Sequence, residues 1–280
     1  MAQVINTNVM SLNSQRVLMN SSNQMATSLE RLSSGLRINR AKDDAAGLAI
    51  AQRFTSQIRG LEQANRNAND GISLLQTAEG ALDEVANMLQ RMRELGVQSM
   101  NGTVSDSDRN SLSDEYNELK AEIGRIFDST EFNGTNLLHT NATLNMQVGF
   151  KAGGSYQIAV STQDMVARGT ASGGLASILG NKSIGSGGQA ASLIGILDSA
   201  IDSVSGKRAE FGAKQNRLEA TVRNNANVIE NQSAARSRVM DTDFAAETAN
   251  LTRTQILQQA GTAMLAQANS LPQNVLSLLR

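Results

Sequence analysis

The chain has no cysteine and no tryptophan, and it has proline and histidine once each. Without cysteine there is no disulfide, no thiolate nucleophile and no cysteine-ligated metal, and the redox compartment cannot be inferred from thiol usage. A single histidine rules out a multi-histidine metal site and the HExxH zinc helix. That residue, His139, sits in the polar segment HTNAT and reads as solvated surface. Aromatic residues make up only 3% of the chain, so its core must be built from Leu, Ile, Val, Met and Ala. Such a core suits helix-on-helix packing better than a ligand pocket lined by rings.

Neither sign of charge dominates: 25 Lys and Arg stand against 26 Asp and Glu, a net charge of −1. No strong basic run occurs, so nucleic acid and anionic membranes are not expected partners. Near-neutrality also removes the long-range repulsion that would keep identical copies apart. The opening MAQVINTNVMSLNSQRVLMN lacks a positively charged n-region and a continuous apolar run, so it does not read as a secretory signal peptide. No stretch is long and apolar enough to span a bilayer. Export, if it occurs, requires a dedicated route.

What the chain does have is heptad periodicity. Leu61, Ala64, Ala68, Gly71, Leu75, Ala78, Leu82, Val85, Leu89, Met92, Gly96 and Ser99 recur at alternating steps of three and four. That register keeps one stripe of a helix against the same neighbour. At about 1.5 Å per residue this spine would span on the order of 55 to 60 Å, which predicts an elongated rod. Its small residues admit a close partner helix, while Leu75, Leu82, Val85 and Leu89 carry the buried area.

Upstream, Ile5, Val9 and Leu12, then Leu18, Met25, Leu29, Leu32 and Leu36, recur at helical spacing with a phase slip between the sets. So narrow a stripe on a polar helix has too little apolar area to fold alone and should stay disordered until another helix covers it. Gly35 and the charged segment Asn39 to Asp44 read as an interruption, and Ala45 to Gly60 resumes helix into the spine. After Met100, Ser105 or Asp106 is the N-cap of a helix with the stripe Leu112, Tyr116, Leu119, Ile123 and Ile126, folded back antiparallel to the spine.

The period then changes to two. Leu144, Met146, Val148 and Phe150, and after the Gly153-Gly154 turn Tyr156, Ile158 and Val160, predict a β-hairpin with one buried face. Gly169 to Gly188, with an apolar island at Leu175 to Leu179, reads as an exposed excursion. The heptad returns at Ile194, Leu197, Ile201, Val204, Arg208, Phe211, Gln215, Leu218, Val222, Asn225 and Ile229, where the polar seam positions are expected to fix register. A last helix places Leu257, Gly261, Met264, Ala268, Leu271, Val275 and Leu278 in heptad spacing, with a kink or restart expected around Ser270 to Pro272.

The predicted fold is therefore mainly α: an elongated rod of long antiparallel coiled-coil-like helices with paired termini, plus a small central β-hairpin region. The expected division is a terminal helical domain of 1–42 with 240–280 and a rod domain of 43–239, the latter including the hairpin and loop of 130–189. No catalytic constellation or cofactor site emerges. Asp43 and Asp44 are adjacent and do not face each other, and with Arg40 and Lys42 they read as a solvated charge cluster. Asp106, Asp108 and Asn110 open like a calcium loop, but Ser111 and Asn117 occupy its required glycine and glutamate positions. The glycines at 185, 187 and 188 match no phosphate-binding fingerprint.

Several long segments, in order, resemble bacterial flagellin: MAQVINTNVMSLNSQR, LERLSSGLRINRAKDDAAGLAIAQRF, GISLLQTAEGALDE, LQRMRELGVQS, FNGTNLL and SLPQNVLSLLR. The resemblance covers residues 1–138 and 190–280 and implies a short flagellin, a secreted structural subunit of the extracellular flagellar filament with no enzymatic activity. It implies export, unfolded, through the flagellar type III apparatus, and polymerisation through Ile5, Val9, Leu12, Leu29, Leu32, Leu36, Leu257, Met264, Leu271, Val275, Leu278 and Leu279. Implied partners are further copies of the chain, an export chaperone over the last helix, and hook-associated and cap proteins.

The same resemblance implies recognition by Toll-like receptor 5 through Leu89 to Gln98, with Arg91, Leu95 and Glu115 as receptor-contacting residues. Met92 and Gly96 depart from the more usual Val and Ala, and Gly96 lowers helix propensity by up to about 1 kcal/mol. A cytosolic flagellin sensor is implied for Val275, Leu276, Leu278, Leu279 and Arg280. Two rival readings are a hook-filament junction protein, which shares the terminal helices, and a cytoplasmic coiled-coil scaffold, which would explain the heptads alone.

Overall fold

The computed structural model describes residues 7–162 and 187–277, and the chain is mainly helical. Helix α1 runs Val9–Ser34, α2 Ala45–Ser99, α3 Asp106–Ser129, α4 Gly187–Met240 and α5 Phe244–Ser277. Between α3 and α4 lie two antiparallel hairpins, β1 Glu131–Phe132 with β2 Thr135–Asn136, and β3 Ala142–Gln147 with β4 Gln157–Thr162. The chain forms two compact units, Met1–Ile58 with Glu230–Arg280, and Arg59–Ile229. Helices α2 and α4 contribute to both. The Gly/Ser-rich excursion lies outside the described residues as far as 186, and α4 already opens at Gly187.

In the unit Arg59–Ile229, every predicted seam position of the spine is buried. The covered face is wider than a two-helix seam requires. Leu74, Ala86 and Leu95 are buried too, because one apolar core takes in α2, α3 and α4 together. On α4 the buried residues Leu197, Val204, Phe211, Leu218 and Asn225 recur every seventh position, with Leu193 and Ala200 alongside, while Ile194 and Ile201 are half-buried.

The polar seam residues of α4 all reach across to α2. Arg208 pairs with Asp83 at 2.9 Å, and Gln215 donates to Glu79 at 2.8 Å. Asn225 donates to Asn65 at 3.1 Å and to the Val148 carbonyl at 3.0 Å. With Arg93 and Asp198 at 2.6 Å, partners rise in number on α2 as they fall on α4, so the two helices are antiparallel in one register. A slip by one turn would leave several polar groups unpaired at about 1–3 kcal/mol each when buried, which is how such positions fix register.

Ser105 is the N-cap of α3 and forms a capping box with Asp108. Hydrogen bonds from the Ser105 hydroxyl and amide hold the Asp108 carboxyl below the usual carboxylate range. Within the stripe of α3, Tyr116 is fully buried and its hydroxyl has no hydrogen-bond partner. Such an orphan costs about 1–3 kcal/mol, so Tyr116→Phe is expected to stabilise this unit by about 1 kcal/mol, read as a higher urea midpoint. Desolvation pushes the Tyr116 pKa up to about 12, above its unfolded value near 10. Stability of the wild type should therefore fall as pH rises from about 10 towards about 12, where the unfolded chain releases this proton first, and the Phe variant should lack that loss.

The β3–β4 hairpin sets Leu144 opposite Val160 and Met146 opposite Ile158. It lies against the α2 backbone, where Asn67 Nδ2 donates to the Gln147 carbonyl at 3.1 Å and a Cβ on Gly71 would meet Met146 Cγ at 3.2 Å. In the FNG turn, Asn133 and Gly134 take φ values of 50° and 76°, as a tight two-residue hairpin requires. Asn136 then donates to the Phe127 and Asp128 carbonyls at the end of α3 and accepts from the amides of Leu138 and His139.

In the other unit, α1 ends at Gly35, whose left-handed φ of 70° lets its amide reach the Arg31 carbonyl at 2.8 Å. An antiparallel bridge follows between Leu36 and Asp241, with Arg37 N donating to the Met240 carbonyl at 2.6 Å and Thr242 N to the Gly35 carbonyl at 3.0 Å. The charged segment Asn39 to Asp44 is more than a solvated cluster. Asp43 accepts the backbone amides of Arg40 and Asn39, which holds its carboxyl below the usual range. Asp44 accepts from Gly47 N at 2.9 Å at the start of α2, and Arg40 pairs with Glu30 at 2.8 Å. Gly47 is required there, since a Cβ would collide with the Asp44 carboxylate and with Ile38.

Candidate functional site

Helices α1 and α5 pair antiparallel. Asn8 Nδ2 donates to the Ala268 carbonyl at 2.8 Å, Ser21 Oγ to the Thr254 carbonyl at 3.1 Å, and Arg31 lies 3.7 Å from Glu247. The covered stripe of α1 is Ser11, Ser14, Leu18, Ser21, Met25, Ser28 and Leu32, and that of α5 is Glu247, Leu251, Thr254, Gln258, Gly261, Leu265 and Ala268. Both are heptads, yet their fully buried members are small or polar: Ser11, Ser21, Ser28, Glu247, Thr254 and Ala268. A Cβ on Gly261 would lie 3.2 Å from Leu18 Cδ1, so the two helices approach closely.

Pro272 has no amide hydrogen to offer the Ala268 carbonyl one turn back. Asn8 Nδ2 takes that carbonyl, while Asn8 Oδ1 accepts from Ser11 N at 3.0 Å as the N-cap of α1. One side chain thus completes both helices. Of the kink or restart expected around Ser270 to Pro272, no restart occurs, and α5 continues to Ser277. Asn8→Ala is expected to cost about 2 kcal/mol in the local stability of the pair. In a Pro272→Ala background, where residue 272 regains an amide, the cost should shrink to about 1 kcal/mol for the lost cap. Amide hydrogen exchange in α1 across the four proteins of this cycle checks it, and equal costs in both backgrounds would refute the link.

Many of the large apolar side chains of this pair face outward. Val9, Met10, Leu12, Val17, Met19 and Leu29 on α1 and Phe244, Ile256, Leu257 and Met264 on α5 are 46–69% exposed. In the other unit only Val97 and Met100 are comparably open among the described residues. Of the residues expected to mediate polymerisation, Val9, Leu12, Leu29, Leu257 and Met264 lie on this surface, and Leu32 and Leu36 are half-buried. Ile5, Leu278 and Leu279 lie outside the described residues, as do the side chains of Leu271 and Val275. The α5 heptad read from the sequence mixes two faces, with Gly261 and Ala268 towards α1 and Leu257 and Met264 away from it. Met10, Val17, Met19, Phe244 and Ile256 share the outward surface but fall off any single stripe.

In the unit Arg59–Ile229, Arg91 and Glu115 come together. Arg91 bonds Glu115 at 2.9 Å and Glu94 at 3.1 Å, all three side chains being largely exposed. The bond to Glu115 raises the Arg91 pKa above its already high value. Open pairs of this kind contribute little stability. Leu95 is placed differently: it is 0% exposed and belongs to the core with Tyr116 and Leu197. Its side chain is covered while the unit is folded, which does not fit the direct contact expected of it. Among the described residues no group of three or more His, Asp or Glu is placed to hold a metal ion, and no helix is long and apolar enough to cross a membrane.

Residues 5–143 match the bacterial flagellin N-terminal helical region, and residues 194–279 match the bacterial flagellin C-terminal helical region. The chain is 49% identical over 278 residues to a flagellin of Halalkalibacterium halodurans, covering 99% of this chain and 100% of that one. It is 44% identical over 288 residues to a flagellar filament 33 kDa core protein of Treponema phagedenis, covering 99% of this chain and 100% of that one. A candidate flagellar hook-associated protein of Vibrio parahaemolyticus, 16% identical, is similar in fold alone, with a TM-score of 0.59 over 71% of this chain and 100% of that one. The chain belongs to the bacterial flagellin family, structural proteins rather than enzymes, which self-assemble into the extracellular flagellar filament.

Proposed function

We propose that this chain is the repeating subunit of a flagellar filament, joined to its neighbours through the outward apolar surface of α1 and α5. The observation that carries this reading is the packing of that pair, whose most deeply buried residues are small or polar while ten large apolar side chains of Val, Leu, Ile, Met and Phe stand about half exposed or more. Burying one such side chain is worth about 1.5–3 kcal/mol, so a few per contact are enough to hold a polymer. In this reading residues 1–42 with 240–280 form the filament core, and 43–239 form the rod domain. Electron microscopy of the concentrated purified chain tests the reading. Long tubular helical polymers are expected, and persistently discrete oligomers would sink it.

The subunit would leave the cell unfolded through the flagellar type III apparatus, with an export chaperone on the Leu257/Met264 face until assembly, and would meet hook-associated and cap proteins at the filament ends. The free subunit would be read by Toll-like receptor 5 at Arg91 and Glu115, and by a cytosolic sensor through its last helix. Arg91→Ala should reduce receptor signalling by the soluble subunit without unfolding it; undiminished signalling would refute that assignment.

A further inference from the structure

We propose that Met10, Met19 and Met264 form an oxidation switch on assembly, in which a peroxide converts their thioethers to sulfoxides and prevents the free subunit from polymerising. This rests on the outward surface of α1 and α5 being the assembly surface. With no cysteine and no tryptophan in the chain, thioethers are its most readily oxidised side chains. Among the described methionines accessibility is sharply divided. Met10, Met19 and Met264 are 58%, 69% and 61% exposed, whereas Met92 is 0% exposed and Met25, Met88, Met146 and Met240 are partly covered. Met100, 44% exposed, lies in the other unit.

In the reaction the sulfur lone pair attacks one peroxide oxygen and the O–O bond breaks. The hydroxyl proton passes to the departing hydroxide, which leaves as water. The sulfur loses two electrons and hydrogen peroxide gains them. The product carries a polar S–O bond that accepts hydrogen bonds and donates none, so an apolar contact that must bury it is penalised. None of the three residues belongs to the covered stripes of α1 and α5. The fold of the free subunit therefore tolerates the change that assembly does not.

The test treats soluble wild-type subunit with hydrogen peroxide, locates sulfoxides by peptide mass mapping, and measures the concentration at which polymer forms. Among the described methionines oxidation is expected first at the three exposed positions, with unchanged circular dichroism and a critical concentration raised about tenfold or more. The triple variant Met10→Leu, Met19→Leu, Met264→Leu should polymerise equally before and after peroxide, and Met100→Leu should give no protection. Methionine sulfoxide reductase with dithiothreitol should restore polymerisation of the oxidised wild type. Unchanged assembly of oxidised wild type, or equal inhibition of the triple variant, would overturn the switch. If the triple variant fails to assemble untreated, the reductase arm decides, and failure to recover once the sulfoxides are removed counts against the proposal. Untreated wild type that never polymerises overturns the assembly reading itself, and the switch with it.

Discussion

Leu257→Asp combined with Met264→Asp is expected to abolish polymerisation while leaving the helical content and unfolding of the subunit nearly unchanged. Both side chains are about half exposed or more, at 46% and 61%, so their replacement removes little internal packing. The free subunit should lose at most about 0.7 kcal/mol per site, through the poorer helix propensity of Asp. In a polymer each carboxylate would be desolvated without a partner, at several kcal/mol per ion, and the penalty recurs at every subunit. About 4 kcal/mol per contact already raises the critical concentration roughly a thousandfold, beyond any practical protein concentration. Sedimentation and circular dichroism on the same samples check this. Polymer at the wild-type concentration would show that this face is not used, whereas lost helicity would place the two side chains inside the subunit.

The two kinds of heptad in the chain explain what the sequence made legible. From Leu61 to Ser99 the small and large apolar residues are the buried ones, so period and partner coincide and the seam could be read directly. The polar seam residues Arg208, Gln215 and Asn225 were legible as register devices because no other role fits a polar group on an apolar stripe, and each does find a partner on α2. On α5 the period of Leu257 and Met264 is equally clear. A period does not say whether the apolar stripe faces the same chain or another copy. On the stripe that does face α1 the most deeply buried residues are Glu247, Thr254 and Ala268, which carry little hydrophobic signal, and Leu251 and Leu265 are only half-covered. Asn8 was invisible for a different reason: the carbonyl it completes is 260 residues away and lacks a donor only because of Pro272. Leu95 was misplaced because the spine packs against two helices, and the wider buried arc takes in a position beside the two-helix seam.

Leu82→Ala should have the opposite consequence, destabilising the unit Arg59–Ile229 by about 3–4 kcal/mol, in the middle of the range for buried leucines. Leu82 is 0% exposed, and its removal leaves a void that only movement of α2, α3 or α4 could close. Such movement is opposed at this point, because Asp83 is paired with Arg208 and Glu79 accepts from Gln215, tying α2 to α4 beside and one turn before the void. A seam pinned on both sides retains its cavity, and a retained cavity costs more than one that collapses. The urea midpoint should fall with an unchanged slope, as for loss of stability without a change in surface exposed on unfolding. Releasing one pin with Asp83→Asn should let the helices settle, so the penalty of Leu82→Ala should be smaller in that background by about 0.5–1 kcal/mol. Strict additivity of the two substitutions would mean that the ion pair does not hold the helices apart, and that the register of this seam is kept by its apolar residues alone.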